Sequence, residues 1–176
     1  MSDDGFTLVL GGARSGKSAV AERLLRHSAA GRAPTYIATA EAWDDEMRAR
    51  IKDHQTARDG QGWHTLEAPL DLATTLGALP ADTPVLIDCL TLWLTNHLLA
   101  ESDLTDQSRA LGAAIAARTA PIVAVANEVG LGIVPDNALA RRFRDAAGRL
   151  NQDLAAQATR VVFVAAGLPI ALKGTL

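Results

Sequence analysis

Near its beginning the chain reads Thr7-Leu8-Val9-Leu10-Gly11-Gly12-Ala13-Arg14-Ser15-Gly16-Lys17-Ser18. The first four residues of this stretch predict a short buried strand, and residues 19–27 after it predict a helix. Between them a glycine is followed by four residues and then by Gly-Lys-Ser, which is the pattern of a phosphate-binding loop. This order of strand, loop and helix predicts a site for a nucleoside triphosphate at the carboxyl end of the first strand.

The residue types of this loop each contribute to binding a triphosphate. Gly11 and Gly16 permit backbone angles and close approaches that side chains would obstruct. Successive N–H groups then point into a concave anion site, and the following helix presents its positive end to it. Lys17 supplies a positive charge for the outer phosphates, and the Ser18 hydroxyl can bind Mg²⁺. The alternative is a glycine-rich turn that binds nothing. The predicted loop residues are Gly11, Gly12, Ala13, Arg14, Ser15, Gly16, Lys17 and Ser18.

The rest of the chain alternates between strand and helix patterns. Apolar runs predict strands at 35–39, 63–66, 85–88, 122–126 and 160–166, with a short edge at 170–172; helices are predicted at 19–27, 44–55, 90–99 and 104–118. Because continuous apolar strands are separated by helices, we expect an α/β fold with a mostly parallel sheet and helices on both faces. No linker or repeat divides the chain, so we expect one domain over residues 1–176, with residues 1–6 as a flexible tail.

A further long helix is predicted to open at Pro135, where a missing N–H costs little. Apolar residues recur along it at helical spacing and are expected to face the core. They are Leu139, Phe143, Ala146, Leu150 and Leu154.

Composition narrows the class of protein. The chain has 176 residues, of which 48% are hydrophobic and 21% are charged, as in ordinary globular domains. The net charge is −3, and without a basic excess no nucleic-acid partner is expected. The one cysteine, Cys89, cannot form an internal disulfide. Neither a bilayer-spanning run nor a signal peptide is recognisable, so we expect a soluble cytoplasmic protein.

Asp88 ends the predicted strand 85–88 and has two interpretations. An acidic residue at the carboxyl end of such a strand can complete the metal site of a phosphate-loop enzyme. The same carboxylate could instead cap the helix that begins at Leu90. The spacing does not separate the two, but the phosphate loop favours the metal role, so Ser18 and Asp88 are the predicted Mg²⁺ ligands.

Three further segments point to a family. They are Tyr-Ile-Ala-Thr-Ala at 36–40, Asp-Asp-Glu-Met at 44–47 with Arg-Ile-Lys-Asp-His at 50–54, and Asn-Glu-Val-Gly-Leu-Gly-Ile-Val-Pro at 127–135. With the phosphate loop, they closely resemble the bifunctional adenosylcobinamide kinase / adenosylcobinamide-phosphate guanylyltransferase family of cobalamin biosynthesis. The resemblance runs from about residue 8 to residue 173, and the segment 127–135 with its continuation at 140–145 is far more specific than the phosphate loop.

This resemblance implies two reactions on a single P-loop NTPase domain with a RecA-like fold. In the first, ATP or GTP phosphorylates the hydroxyl of the aminopropanol arm of adenosylcobinamide. In the second, GTP gives GMP to an enzyme histidine and releases pyrophosphate, and the GMP passes to adenosylcobinamide phosphate to give adenosylcobinamide-GDP. The resemblance also implies a homotrimer with active sites near the subunit boundaries.

The family histidine matches His54, which the resemblance makes the guanylylated residue. The residues are compatible, because Met47, Ile51 and His54 share one helix face and a neutral imidazole can attack phosphorus. Without the resemblance, a lone helical histidine is usually a surface or packing residue, and the other three histidines are equal candidates.

Matching positions give the remaining nucleotide contacts, some of which keep a second interpretation. Glu67 could accept hydrogen bonds from a guanine base or be an ordinary charge at a strand end, and Arg58 could pair with a phosphate or be solvated. The loop at 127–135 is either a mobile cover or a corrinoid contact. The full set is Thr39, Ala40, Glu41, Gln55, Thr56, Ala57, Arg58, Glu67 and Asp88.

The sequence is also compatible with two other functions. One is a phosphate-loop kinase with a single activity, in which His54 is structural. The other is a nucleotide-dependent switch or motor module that performs no metabolite chemistry. A pure binding module is disfavoured, because both Lys17 and Ser18 are present.

Overall fold

A computed structural model of the chain describes residues 5–41, 45, 56 and 60–176. The described strands are β1 (Phe6–Gly11), β2 (Thr35–Ala38), β3 (His64–Glu67), β4 (Val85–Asp88), β5 (Ile122–Asn127), β6 (Arg160–Ala165) and β7 (Leu168–Lys173). The described helices are α1 (Lys17–Ser28), α2 (Leu72–Ala78), α3 (Leu90–Leu99), α4 (Leu104–Ala116) and α5 (Ala138–Gln157). Of the helix predicted at 44–55, only Asp45 falls within the described residues, and it is helical.

The strands form one sheet in the order β3-β2-β4-β5-β1-β6-β7. All neighbouring strands run parallel except β6 and β7, which form an antiparallel hairpin. The prediction of a mostly parallel sheet is therefore confirmed. Because the strands before β7 run parallel, the carboxyl ends of β1, β2, β3, β4 and β5 meet at one edge of the sheet.

Helices cover both faces of the sheet, as predicted. On one face α1 buries Val20, Ala21 and Leu25 against the sheet. On the other face α2, α3, α4 and α5 pack over a larger apolar cluster that includes Trp93 and Leu111. This arrangement hides continuous apolar strands from water on both sides, which explains their lack of polar alternation. None of the described helices has the length and apolarity needed to cross a membrane.

Two predictions about element ends were wrong. Phe6 is not part of a tail, because it begins β1, is 8% exposed, and its carbonyl accepts hydrogen bonds from the Thr159 backbone and hydroxyl. The long helix does not open at Pro135 but at Ala138. Asn137 is the cap, since its side chain accepts a hydrogen bond from the Ala140 N–H at 2.7 Å.

The prediction that the apolar residues of α5 face the core was correct only in part. Ala146, Leu150 and Leu154 are buried and Phe143 packs against the same cluster, but Leu139 is 54% exposed. The reason is that the buried residues of α5 begin at Ala146, so its first turn precedes the part that packs on the sheet. Helix α2 was not predicted, because seven residues offer few periodic positions and only two of them are buried.

His97 forms a buried polar contact on α3. Its Nε2 lies 3.2 Å from the Leu70 carbonyl oxygen and its Nδ1 lies 3.0 Å from the Ser102 hydroxyl. The ring stacks edge-on against Trp93, with centroids 4.7 Å apart. A neutral imidazole satisfies both contacts by donating from Nε2 and accepting at Nδ1. Burial lowers the pKa of His97, against smaller opposing effects of the Leu70 carbonyl and the Asp71 charge.

We expect this histidine to make stability depend on pH. Since the pKa of His97 is lower in the folded chain than in the unfolded one, the unfolded chain binds more protons. The contribution of His97 is therefore present above about pH 6.5 and is lost as pH falls below that value. Urea unfolding at about pH 7.5 and about pH 5.5 should show a smaller loss of stability in His97→Gln than in the unchanged protein. Equal losses would contradict this role.

Candidate functional site

The phosphate loop joins β1 to α1, and two of its glycines are required by the space around them. A Cβ on Gly11 would lie 2.6 Å from both the Ser15 hydroxyl and the Val164 carbonyl oxygen. Gly16 has a φ of +90°, and a Cβ there would lie 3.2 Å from the Gly167 Cα. The first glycine therefore allows close packing and the second allows a left-handed turn into α1, as the motif predicted.

The start of α1 has a local excess of positive charge. Lys17, the first residue of the helix, is 9% exposed, and its Nζ donates to the Gly12 carbonyl at 3.1 Å. Ser18 follows and is half-buried. The first turn of α1 carries no acidic side chain that would oppose the positive end of the helix. The arrangement suits a polyanion at the loop.

The hairpin turn between β6 and β7 also contacts the phosphate loop. Ala166 and Gly167 both have positive φ, as in a two-residue hairpin turn, and the Gly167 N–H donates to the Ser15 carbonyl at 2.8 Å. Sequence reasoning missed this contact. The Ala-Gly pair between two apolar strands was the signal that could have indicated the turn, although not what it touches.

Three residues of the carboxyl edge face the same side of the sheet as α1. On each strand the residue two positions earlier belongs to the apolar cluster under α1, so alternation puts Gly11, Asp88 and Asn127 on that face. Strand β5 lies between β1 and β4, so Asn127 lies between the other two. Lys17 begins α1, the helix that packs on this same face.

Asp88 is half-buried at the end of β4 and does not cap α3. Its Oδ2 accepts a hydrogen bond from the Tyr36 hydroxyl at 2.8 Å. The capping position of α3 is Cys89, which makes no side-chain cap bond. The capping interpretation of Asp88 is therefore wrong, and its metal role stays a prediction.

Thr39 connects the ends of β2 and β4. Its side chain is fully buried; the hydroxyl donates to the Cys89 carbonyl at 2.6 Å and accepts from the Cys89 N–H at 2.8 Å. The Thr39 N–H donates to the Asp88 carbonyl at 3.1 Å, and Asn96 donates to the Thr39 carbonyl at 2.9 Å. In the described structure the side chain of Thr39 thus orients the turn that carries Asp88, while a nucleotide contact by Thr39 stays a prediction.

Cys89 is not suited to act as a nucleophile. Burial, followed by the charge of Asp88, raises the pKa of this thiol to about 11. The thiol is therefore protonated at neutral pH, and a reactive cysteine requires the thiolate.

Of the other predicted nucleotide contacts, some lie at the carboxyl edge of the sheet and some lie outside the described residues. Ala40 and Glu41 follow β2 and are half-buried, and Glu67 is exposed at the end of β3, in register with Ala38. Thr56 is helical and exposed. His54, Gln55, Ala57 and Arg58 lie outside the described residues, so their distances from the phosphate loop stay predictions.

Sequence reasoning named Asn127 only as the first residue of the segment 127–135 and gave it no role of its own. This residue ends β5 in register with Gly11, and its backbone N–H donates to the Thr91 hydroxyl at 2.7 Å. Its Oδ1 is buried and has no hydrogen-bond partner among the described residues. The next residue, Glu128, donates its N–H to the Gly11 carbonyl at 3.1 Å. The available signal was a polar residue directly after the apolar run 122–126.

The two neighbouring glycines of the loop provide a matched test of the packing. Gly11→Ala should lower the free energy of unfolding by about 1–3 kcal/mol, because a backbone carbonyl must move away from the new methyl group. Gly12→Ala should change it by less than about 0.5 kcal/mol, since no atom lies within 4 Å of the added Cβ. Urea unfolding without nucleotide measures both. Equal effects would show that the space around Gly11 does not determine the fold of the loop.

Solved structures share this fold at low sequence identity. The flagellar accessory protein FlaH from Methanocaldococcus jannaschii superposes with a TM-score of 0.55 at 13% identity, covering 97% of this chain and 79% of that one. A second solved structure, an ATPase domain, gives a TM-score of 0.50 at 15% identity, covering 93% of this chain and 70% of that one. The fold is thus an α/β fold shared with ATPases.

Sequence comparisons are more specific. The bifunctional adenosylcobalamin biosynthesis protein CobP of Pseudomonas aeruginosa is 49% identical over 170 residues, covering 95% of this chain and 96% of the relative. The corresponding CobU proteins of Salmonella typhimurium and Escherichia coli are 44% and 40% identical, each covering 94% of this chain and 98% of the relative. Residues 7–172 match the family described as cobinamide kinase / cobinamide phosphate guanyltransferase. The chain therefore belongs to that family.

Proposed function

We propose that this chain is a bifunctional kinase and guanylyltransferase of cobalamin biosynthesis. It phosphorylates adenosylcobinamide with ATP or GTP, and then converts adenosylcobinamide phosphate to adenosylcobinamide-GDP with GMP from GTP. The observation that carries this proposal is the family match over residues 7–172. Relatives that the chain covers almost end to end are bifunctional adenosylcobalamin biosynthesis proteins.

In the kinase reaction the phosphate loop binds the donor. Its N–H groups, the positive end of α1 and the Lys17 ammonium hold the outer phosphates. The hydroxyl oxygen of the aminopropanol arm attacks the γ-phosphorus, and the bond from that phosphorus to the bridging oxygen breaks. The nucleoside diphosphate leaves, and the hydroxyl proton passes to solvent. Holding the triphosphate in line with the hydroxyl is the contribution of the loop.

In the second reaction the nucleophile is the imidazole of His54. A neutral ring nitrogen attacks the α-phosphorus of GTP, the bond to pyrophosphate breaks, and a phosphoramidate forms. A phosphate oxygen of adenosylcobinamide phosphate then attacks the same phosphorus, and the P–N bond breaks to restore the histidine. The phosphate loop stabilises the charge on the departing pyrophosphate. One loop thus serves both reactions.

The residues at the start of α1 and the end of β4 suit Mg²⁺. Ser18 supplies a hydroxyl oxygen and Asp88 a carboxylate, which are the hard oxygen ligands that this ion prefers. The Tyr36 hydroxyl engages Oδ2 of Asp88 and orients the carboxylate, without taking up both of its oxygens. When bound, Mg²⁺ would neutralise charge on the phosphates.

The nucleotide base and the ribose would lie along the edge formed by β2 and β3. Glu41 and the exposed Glu67 are at this edge, and a carboxylate can accept hydrogen bonds from the N1–H and N2–H₂ groups of guanine. Thr39 and Ala40 border the same edge. We assign the remaining contacts to the residues that follow His54, which are Gln55, Thr56, Ala57 and Arg58.

We further propose that the protein works in the cytoplasm as a homotrimer. Strand β7 is an edge strand, and its side chains Leu168, Ile170 and Leu172 are 52–68% exposed. An apolar edge strand of this kind is a pairing hazard unless another surface covers it. Contact with further copies of the chain would remove the hazard.

The covalent intermediate is the most direct test of the two-reaction proposal. Incubation with GTP labelled at the α-phosphate should label the protein with one acid-labile, base-stable GMP, and mass spectrometry should locate it on His54. His54→Ala should abolish the label and keep phosphoryl transfer from ATP, because the imidazole takes no part in that step. Equal labelling of His54→Ala would refute this role.

A second variant tests the shared loop. Lys17→Ala should slow both reactions by about tenfold or more, since it removes a charge from the phosphates in each. A normal rate of guanylylation in this variant would contradict a shared loop. Phosphoryl transfer without any GMP label in the unchanged protein would favour the kinase with a single activity.

The assembly can be measured independently. Light scattering coupled to gel filtration should give a mass near three times the 18.5 kDa of one chain. Ile170→Lys should lower that mass, because a charge on the apolar edge opposes its burial. A monomer at every concentration tested would contradict the trimer.

A further inference from the structure

Asn127 occupies the central position of the carboxyl edge. Its strand, β5, separates the strand that leads to the phosphate loop from the strand that ends in Asp88. Gly11 is its direct neighbour in register, at the usual spacing of about 4.8 Å between strands. Its side chain projects to the face that carries α1, the helix that Lys17 begins, and Asp88 projects to the same face. Asn127 thus lies between the phosphate loop and Asp88 along this edge.

The backbone at Asn127 is held in place, but its carboxamide is incompletely paired. The Asn127 N–H donates to the Thr91 hydroxyl, which is itself buried, and Glu128 is tied to the Gly11 carbonyl. The backbone on both sides of the side chain is therefore fixed. The buried Oδ1 nevertheless has no donor among the described residues. A buried acceptor without a donor costs about 1–3 kcal/mol, so such an atom is expected to gain a partner when the site is filled.

The chemistry of an amide oxygen limits what that partner is. It accepts hydrogen bonds and donates none, so the oxygens of a phosphate cannot pair with it. The ammonium of Lys17 donates to the Gly12 carbonyl and makes no hydrogen bond to the Oδ1 of Asn127, and in a phosphate loop its N–H groups are the ones that bind the outer phosphates. The donors that a filled phosphate site adds at this position are O–H groups: the hydroxyl that receives the phosphoryl group, or a water bound to the metal ion.

We propose that the Oδ1 of Asn127 accepts a hydrogen bond from an O–H group beside the reacting phosphate and so orients it. This inference rests on the proposed function and adds to it a residue between the phosphate loop and Asp88. With the corrinoid hydroxyl as donor, the bond directs an oxygen lone pair at the γ-phosphorus. With a metal-bound water as donor, the bond fixes the position of the ion.

The two reactions of the enzyme distinguish these sources. Formation of the GMP–histidine adduct uses an imidazole and no alcohol, whereas phosphoryl transfer uses the alcohol. Asn127→Ala is therefore measured in both reactions, and its binding of a non-hydrolysable GTP analogue is followed by calorimetry at several Mg²⁺ concentrations. Asn137→Ala is the matched control, because that amide caps α5.

An alcohol donor predicts that Asn127→Ala lowers kcat for phosphoryl transfer about tenfold or more, with the KM for ATP and the rate of GMP labelling within about twofold. A metal-bound water predicts that both reactions slow, and that about threefold or more Mg²⁺ is needed for half-maximal binding of the analogue. Either result supports the proposal. Rates and Mg²⁺ dependence within about twofold of the unchanged protein would overturn it.

A second variant covers the case in which Asn127→Ala does not fold. Thr91→Val removes the acceptor of the Asn127 N–H but leaves the carboxamide in the chain, and it should slow the same step to a smaller extent. No change in either reaction with Thr91→Val would then overturn the proposal. The failure of the proposed function looks different: in that case the unchanged protein itself shows neither phosphoryl transfer to adenosylcobinamide nor a GMP label.

Discussion

The close packing of the backbone around Gly11 is the constraint on which the site depends. Without a side chain there, the Ser15 hydroxyl and the Val164 carbonyl both approach to distances that any Cβ would prevent. The carbonyl of Gly11 accepts from Glu128, and the Ser15 carbonyl accepts from the β6–β7 turn. Two segments that are distant in sequence, the chain at Glu128 and the hairpin at 164–167, are therefore held against this turn, which fixes the loop before any nucleotide binds.

A second constraint fixes the opposite side of the site. The buried hydroxyl of Thr39 both donates to and accepts from the backbone of Cys89, so the end of β2 holds the chain that leaves β4. Tyr36 then supplies a hydrogen bond to Asp88. Since each of these contacts joins residues about fifty positions apart, the direction of the carboxylate depends on the completed sheet.

The fold was largely predictable because its signals are local. Apolar runs gave the strands, and α3 was predicted with the bounds that it has, Leu90–Leu99. The phosphate loop was predictable for the same reason, since its glycines, lysine and serine all fall within eight residues, although the contacts of Gly11 with Val164 and of Gly16 with Gly167 were not. The predictions that failed concerned contacts that the local sequence does not determine. Asp88 accepts a hydrogen bond from Tyr36 and does not cap α3, and Leu139 precedes the part of α5 that packs against the sheet. The roles given to His54 came from the resemblance and not from spacing.

One fixed loop can serve two different chemistries because it acts on the part of the nucleotide that both share. Lys17 and the start of α1 attract the phosphate chain whichever phosphorus is attacked. If the proposed mechanism holds, the choice between the γ- and the α-phosphorus falls to groups outside the loop, because the alcohol and the imidazole of His54 must approach different phosphorus atoms. In the proposal for Asn127, the amide at the end of β5, between β1 and β4, lies beside the alcohol or the metal. Thr39, Ala40 and Glu41, which follow β2, lie on the other side of β4, so the order of the strands separates them from Asn127.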